Sequence, residues 1–446
     1  MAATEEKLQV WMRFGQPLEA VMGDVSPIFD AWETMGVNGI VLGRMYFRDD
    51  NHQYHAIFDP DRRLYERFGL RPPEPPQRKF PSRRRQLDRL LAEAKRRKWS
   101  ILIFAPNAGA LTGPGKHASF VSSDAWQARI LDTLANFPEV DGCVIDGPEW
   151  GYEIEPGHRK DLFADLPESV RPLAESRHYD FVELQRSRDL LHNRLHELSQ
   201  HLGESHSPQG VVAALSHSIP QLARWFEFRS DVLTGTVKTL KGLMREQRED
   251  LLLGMGPRAA AFAPLCGYDF RALMEHLDYL LPKHYFWHRG YDGFYGTVYR
   301  WMKTLVDWNP GLSDKQALQW VKGLLDINLP SLGGAFDFER GFPDEFFTNV
   351  VAQQTRAALS AARRPEQVVP WVDVGRRPHD GDPIGSGDLI RILEASQKAG
   401  LRRFLYHNHT HLSPAEVEVL RVQCGDADRP LPQGYRAPDG LHEHVS

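Results

Sequence analysis

Two carboxylates stand at the end of a short apolar run near residue 145. Residues 143–145 predict a buried strand that breaks at the Gly-Pro pair 147–148, with Asp146 as its last residue and Glu149 just beyond it. Trp150 follows at once. A carboxyl group beside an aromatic ring can, when it is protonated, donate its proton to a leaving group while a sugar-like ring is held in place. The alternative is that both acids cap the next helix or pair with arginines.

An order of amphipathic helix and then short apolar strand recurs on both sides of this segment. Strands that alternate with helices pair in parallel, and eight such units predict a closed (β/α)8 TIM barrel, an α/β fold. Pro282 and Pro370 weaken two of the strands, because proline cannot donate to a sheet ladder. The predicted strands are 8–13, 39–44, 100–107, 143–146, 251–258, 279–284, 368–373 and 403–408, and the helices before them are 28–35, 83–98, 126–137, 232–248, 270–277, 346–363 and 389–399.

The length of 446 residues, 41% of them hydrophobic, suits one barrel with long insertions. We predict a single catalytic domain over 1–425 and a polar, loosely attached tail over 426–446. The insertions 48–80, 151–219 and 290–342 follow strands two, four and six, on the face where barrel enzymes hold their chemistry. They would build a cleft or lid, or else a homo-oligomer interface.

The composition argues against several classes of protein. A net charge of −5 gives no sign of a nucleic-acid or membrane partner. Cys143, Cys266 and Cys424 match neither a disulfide framework nor a zinc ligand set. The glycine-rich pieces lack nucleotide-binding spacing, so we predict no cofactor. The chain shows neither a signal-peptide pattern nor an apolar run long enough to span a bilayer, and we expect a cytoplasmic protein.

Polar or aromatic residues end most of the predicted strands. In a barrel these ends converge on one pocket, and arginine, asparagine, histidine and tryptophan are side chains that grip hydroxyl-rich ligands. Arg13 and Lys283 belong to this set of strand ends. The residues that we predict to bind substrate are Arg44, Asn107, Trp150, Arg258, His284, Tyr285, Trp371, His407 and Asn408.

The fourth strand resembles that of glycoside hydrolase barrels, including the groups described as hypothetical glycosyl hydrolases. Chitinase-type enzymes carry Asp-Gly-x-Asp-x-Asp-x-Glu here, and this chain has Asp-Gly-Cys-Val-Ile-Asp-Gly-Pro-Glu over 141–149. The first Asp-Gly and Asp146 are kept, Val144 replaces the middle Asp, and Glu149 comes one residue late. The architectural resemblance covers about residues 8–420. It implies a glycosidase-type hydrolase acting on a small glycoside or oligosaccharide.

Glycosidic cleavage usually needs one protonated carboxyl and a second carboxylate. Glu149 is the expected proton donor, because Trp150 would supply apolar surroundings that raise the pKa of a carboxyl. Asp146 would act as a nucleophile or orient Glu149. Asp373 ends strand seven, the position that resembles the nucleophile site of the large retaining clan, although that clan uses Glu. The sequence does not assign acid and nucleophile among these three.

Two other functions remain open. His407, His409 and His411 alternate, and alternation along a strand would put them on one face, as a metal-dependent hydrolase or lyase would need. The segment 410–413 alternatively reads as the start of a helix, which leaves the histidines as substrate contacts. A barrel that binds carbohydrate without catalysis is the second alternative, because one barrel fold hosts many functions.

Overall fold

The chain folds into a barrel of parallel strands, the fold class predicted from the sequence. The computed structural model describes residues 7–14, 25–43, 46–48, 54–56, 58–72, 81–105, 124–198, 221–287, 293–372, 374, 381–407 and 409–437. The barrel strands are Gln9–Phe14, Val37–Leu42, Ser100–Phe104, Gly142–Asp146, Leu252–Gly256, a divided sixth strand (Tyr279–Leu280 and Lys283–His284), Trp371–Val372 and Arg403–Tyr406. The first strand pairs in parallel with both the second and the last.

The divided sixth strand closes the barrel. Its first half pairs with Leu252–Gly256, and its second half pairs with Trp371–Val372. Pro282 separates the halves and has no N–H, but its carbonyl still accepts a hydrogen bond from Trp371 N at 2.9 Å. The carbonyl of Pro370 likewise accepts from Leu405 N at 2.9 Å. The two prolines therefore shorten these strands without opening the barrel.

Helices connect the strands on the outside of the barrel. Several begin at side-chain caps: Asp180 accepts hydrogen bonds from the backbone of residues 182 and 183, and Ser413 forms a capping box with Glu416. The helix predicted at 232–248 begins earlier, at Gln221, because Trp225 and Phe228 continue its buried face. The helices are Val25–Thr34, Arg62–Arg67, Pro81–Arg96, Asp124–Asn136, Arg171–Ser176, Phe181–His196, Gln221–Gln247, Phe270–Met274, Phe294–Trp308, Asp314–Leu324, Ala352–Ala361, Ser386–Lys398 and Pro414–Gln423, with a π-helical segment at Phe346–Val351.

The insertions carry secondary structure of their own. An antiparallel pair, Tyr46–Arg48 and Tyr54–Ala56, spans the start of the first insertion, and the second insertion contains the helix Phe181–His196. In the third, Trp301 is buried, and its indole donates to the carbonyl of Tyr152 at 3.0 Å. The aromatic residue therefore ties the third insertion to the second.

The described part of the tail, 426–437, contacts the barrel at several points. Asp426 N donates to Thr34 O at 2.9 Å, and Arg421 holds the carbonyl of Arg429 at 2.9 Å. Burial raises the pKa of Tyr435 to about 12, in keeping with a side chain removed from water. Leu431 and Tyr435 are partly buried and pack against the core, whereas residues 426–430 are exposed.

Across the described ranges, no helix combines the length and the apolar character that a bilayer crossing demands.

Candidate functional site

Asp146 ends the fourth strand, and Lys283 begins the second half of the sixth. Lys283 Nζ lies 2.6 Å from Asp146 Oδ1, and the two side chains are 8% and 28% exposed. Burial alone would raise the pKa of the Asp146 carboxyl, but the Lys283 ammonium outweighs it and holds this pKa below its usual value. Asp146 is therefore an ionised carboxylate with part of its surface open.

Glu149 is buried beside the same strand end and contacts three other side chains. Arg258 Nη2 donates to Glu149 Oε1 at 2.6 Å, while Arg258 Nε lies 3.1 and 3.0 Å from the two carboxylate oxygens. Lys160 Nζ lies 3.0 Å from Oε1. The Tyr268 hydroxyl donates to Oε2 at 3.2 Å. We call Glu149, Arg258, Lys160 and Tyr268 the glutamate cluster.

The expectation that the pKa of Glu149 is raised is wrong. Burial acts in that direction, but the positive charges of Arg258 and Lys160 outweigh it and hold the pKa of this carboxyl well below its usual range. A carboxylate that stays ionised is unsuited to donate a proton at neutral pH. For Glu149 the structure instead supports the alternative of pairing with an arginine.

Trp150 is buried next to Glu149 in the chain. Its indole N–H donates to the carbonyl of Arg229 at 3.0 Å, and its ring lies 5.9 Å from the ring of Phe228. The residue is 8% exposed. Trp150 therefore packs against residues 228 and 229 of the helix Gln221–Gln247.

Lys160 reaches the glutamate cluster from the second insertion. The carbonyl of Lys160 accepts hydrogen bonds from Tyr152 N at 2.8 Å and Glu153 N at 2.9 Å. Glu153 is itself buried and ion-paired with Arg300 of the third insertion. This turn of the insertion therefore folds back onto the barrel mouth and fixes the backbone from which Lys160 extends.

Arg13, Trp371 and His407 meet inside the barrel mouth. The guanidinium carbon of Arg13 lies 5.5 Å from the Trp371 ring centroid, and Arg13 Nη1 is 2.5 Å from His407 Nε2. The rings of Trp371 and His407 stack at 5.5 Å. A Cβ at Gly256 would lie 3.1 Å from Trp371, so this glycine leaves the space that the indole occupies.

His284 and Tyr285 follow Lys283 but are more deeply buried. His284 is 0% exposed, and burial lowers its pKa to about 3, so the ring is neutral at physiological pH. Neither of its ring nitrogens has a hydrogen-bond partner within the described residues. The Tyr285 ring lies 5.2 Å from His407 and so reaches the aromatic group of the mouth.

The three histidines near the last strand do not share one face, so this part of the metal-site reading is wrong. The strand ends at Tyr406, and residues 409–411 form a 3-10 turn. His409 packs against Phe14 and Trp32 instead of facing His407. The positively charged guanidinium of Arg13, which contacts His407 Nε2, would also repel a metal cation. Among the residues that the structure describes, no group of three or more His, Cys, Asp or Glu side chains could hold a metal ion.

The structure thus brings Asp146, Glu149 and Arg258 to one barrel mouth with Lys283 and Arg13, as the strand-end pattern predicted. Sequence reasoning missed Lys160 and Tyr268. Neither ends a predicted strand, and only their charge and hydroxyl chemistry could have marked them. Four predicted site residues lie outside the described residues: Arg44, Asn107, Asp373 and Asn408.

Neither a protein-family model nor a curated protein matches the sequence. The chain is similar to the PgaB (BpsB) glycoside hydrolase domain from Bordetella bronchiseptica, with 11% identity, 93% of this chain and 98% of that chain covered, and a TM-score of 0.46. It is also similar to a group IV chitinase from Ostrinia furnacalis, with 11% identity, coverage of 94% and 100%, and a TM-score of 0.44. A fungal endo-beta-N-acetylglucosaminidase from glycosyl hydrolase family 18 has 10% identity, coverage of 93% and 97%, and a TM-score of 0.41. At these low scores the similarities carry no argument about activity.

Proposed function

We propose that this protein hydrolyses a glycosidic bond in a small glycoside or oligosaccharide, with Asp146 as its essential carboxylate. The observation that carries the proposal is the state of Asp146: ionised by Lys283, partly exposed, and located at the carboxyl end of a barrel strand. Active sites of such barrels lie at this end. An ionised carboxylate there can attack the anomeric carbon or stabilise the positive charge that develops on the sugar ring.

The polar residues of this mouth favour a hydroxyl-rich ligand. Trp371, Tyr285 and His407 form a buried aromatic group behind them. Arg13 and Lys283 provide hydrogen-bond donors for hydroxyl or carboxylate oxygens. The combination supports recognition of a hydroxyl-rich ring.

The proposal assigns a new role to Glu149. Because its carboxylate stays ionised, Glu149 acts as a positioning residue that holds Arg258 and Lys160 at the mouth. Asp373, which follows Val372 in the chain, becomes the candidate for the second carboxylate that glycosidic cleavage needs. In this proposal, Asp373 is the proton donor.

The test is a panel of nitrophenyl glycosides and oligosaccharides incubated with the purified protein. Asp146→Asn serves as the blank, because it keeps the shape of the side chain and removes its charge. Turnover that the parent performs and Asp146→Asn does not would support hydrolysis. If Asp146→Asn turns substrates over as fast as the parent, the assignment fails.

A second arm addresses the carbohydrate-binding alternative. If the parent and Asp146→Asn bind an oligosaccharide equally well and neither cleaves any member of the panel, the barrel is a binding protein. Activity lost on treatment with a chelator and restored by zinc or manganese would instead favour the metal-dependent alternative.

A further inference from the structure

A groove of about 630 Å³ lies between two helices of the outer layer. The helices Gln221–Gln247 and Ala352–Ala361 form its walls, and the loop 260–271, which follows the fifth strand, forms its floor. Tyr268 lines this groove and donates to Glu149, so one side chain links the groove to the glutamate cluster. Sites for small ligands usually have volumes of about 300–1,000 Å³, and the groove falls within that range.

Hydrogen bonds hold the floor of the groove in place. Tyr268 N donates to Ala263 O at 2.8 Å, which closes a turn of the loop. Ala261 N donates to Gln354 Oε1 at 2.7 Å and so ties the loop to the wall helix Ala352–Ala361. The groove is therefore formed before a ligand arrives, as is usual for small-ligand sites.

Three carboxylates line the groove: Glu227, Asp231 and Asp269. One oxygen of each is used within the protein, by Arg224 at 3.5 Å, by the Tyr179 hydroxyl and by a helix N–H at 3.0 Å, respectively. Within the described part of the chain, the second oxygen of each carboxylate makes no hydrogen bond. Such oxygens accept hydrogen bonds from the hydroxyl or ammonium groups of a ligand.

Arg271 brings hydrogen-bond donors to the same groove. Its side chain is exposed, and across the described ranges it forms neither an ion pair nor a hydrogen bond. The hydroxyls of Ser230 and Ser360 also line the groove, and the partly exposed Phe226 adds apolar surface. The groove therefore offers acceptors, donors and an aromatic ring together.

This combination restricts the class of ligand. A cation would suit the carboxylates but would be repelled by Arg271 and leave its donors unpaired. An anion would suit Arg271 but would face three carboxylates. A hydroxyl group both donates and accepts, and the carbon–hydrogen face of a sugar can pack on Phe226. A neutral, hydroxyl-rich ligand therefore meets all of these groups.

We propose that this groove is a second carbohydrate-binding site, which takes a short neutral oligosaccharide. The site goes beyond the proposed hydrolysis at the barrel mouth and does not depend on it. Its walls and floor are already in place, and its polar groups match the hydroxyls of a sugar chain.

The experiment measures the binding of cellotriose, maltotriose, laminaritriose and triacetylchitotriose by calorimetry. It uses Asp146→Asn as the background, so that binding is measured without turnover at the mouth. Ala357→Trp fills the groove with an indole and should weaken binding there by about 10-fold or more. Ala92→Trp is the matched control, because Ala92 is also an exposed helical alanine but lies on Pro81–Arg96. A sugar that also enters the mouth should show two sites, of which Ala357→Trp removes one.

A second variant tests the polar contacts without filling the groove. Arg271→Met should weaken binding by about 10-fold, the usual effect of losing one charged hydrogen bond. Arg85→Met, at an exposed arginine outside the groove, should leave the affinity unchanged. Circular dichroism checks that each variant is folded.

The outcomes separate this proposal from the proposed function. Sugar binding that Ala357→Trp removes supports the groove even when the parent cleaves no glycoside, in which case the proposed function fails. Turnover without any binding that depends on Ala357 and Arg271 would overturn the groove and leave the proposed function standing. Spermidine and citrate serve as charged probes: if one of them binds in the groove and none of the four sugars does, the proposal is overturned. Absence of binding by all of these compounds would overturn it as well.

Discussion

The two ends of the barrel use carboxylates in different ways. At the amino end, Asp141 accepts a hydrogen bond from Ile101 N at 2.8 Å, and Asp278 accepts from Leu253 N at 2.7 Å. At the carboxyl end, the described contacts of Asp146 and Glu149 are with side chains: Lys283 for the first, and Arg258, Lys160 and Tyr268 for the second.

The difference shows which carboxylates serve the fold. A carboxylate that binds a strand N–H completes the hydrogen bonding of the sheet, and its structural role is evident. The carboxylates at the mouth complete no strand ladder in these contacts, although burying such ionic groups costs stability. The same strand carries one acid of each kind, Asp141 before Gly142 and Asp146 at its end. This pair allows the comparison to be tested directly.

The largest expected effect is on turnover. Asp146→Asn should lower kcat by about 1000-fold or more, because the charge that acts on the reacting sugar is lost. Asp141→Asn should leave kcat per folded molecule close to that of the parent. Initial-rate kinetics on the best substrate of the panel, corrected for the folded fraction by circular dichroism, checks both variants. Equal losses in the two would remove the distinction between the barrel ends.

The next effect is on stability. Glu149→Gln should lower the free energy of unfolding by about 3 kcal/mol or more, because Arg258 and Lys160 would remain at the mouth without a compensating carboxylate. The control Glu168→Gln breaks an exposed ion pair with Arg171, which solvent screens, and should have a much smaller effect. Urea unfolding measures both. A loss at Glu149 no larger than at Glu168 would contradict the buried network.

A smaller loss of stability is expected at the amino end. Asp278→Asn should lower the free energy of unfolding by about 2 kcal/mol, because Lys241 is 7% exposed and would lose its carboxylate partner. Lys241 also donates to Leu251 O at 2.7 Å, which limits the loss. Turnover per folded molecule should not change. A fall in kcat at this position would mean that the amino end also contributes to the site.

The smallest effect is a dependence of stability on pH. The pKa of His284 falls to about 3 and that of His409 to about 4 in the folded protein, in both cases because burial disfavours the charged ring. In the unfolded chain these histidines bind protons at about pH 6.5. Their contribution to stability is therefore fully present above that pH and is lost as the pH falls below it. Each histidine contributes a slope of about 1.4 kcal/mol per pH unit.

Urea unfolding between pH 7 and pH 5 would measure this slope. His284→Leu should reduce this slope without abolishing it, because the pKa values of His409 and His192 are also lowered and these residues continue to contribute. This pH range lies above the one in which protonation of Asp146 and Glu149 would remove the stability that their lowered pKa values provide. An unchanged slope in His284→Leu would show that His284 is accessible to protons in the folded state.

The strands and their end residues could be predicted because their signals are local. Each strand is an apolar run that ends at a polar residue, and parallel pairing brings such ends together. This reasoning placed Asp146 and Lys283 at the same mouth, and the structure shows that they form an ion pair there. Helix starts were less predictable: the helix Gln221–Gln247 begins with a turn whose buried face includes Trp225, which the sequence alone did not assign.

The sequence by itself determined the barrel, the order of its strands and the placement of acids at the mouth, because periodic burial and strand ends depend on neighbouring residues. Only the tertiary structure decided the charge state of those acids. Glu149 is ionised because Lys160 and Arg258, far from each other in sequence, meet at its carboxylate. A pKa depends on groups within a few ångströms, and the packing of an insertion against a barrel strand sets those distances.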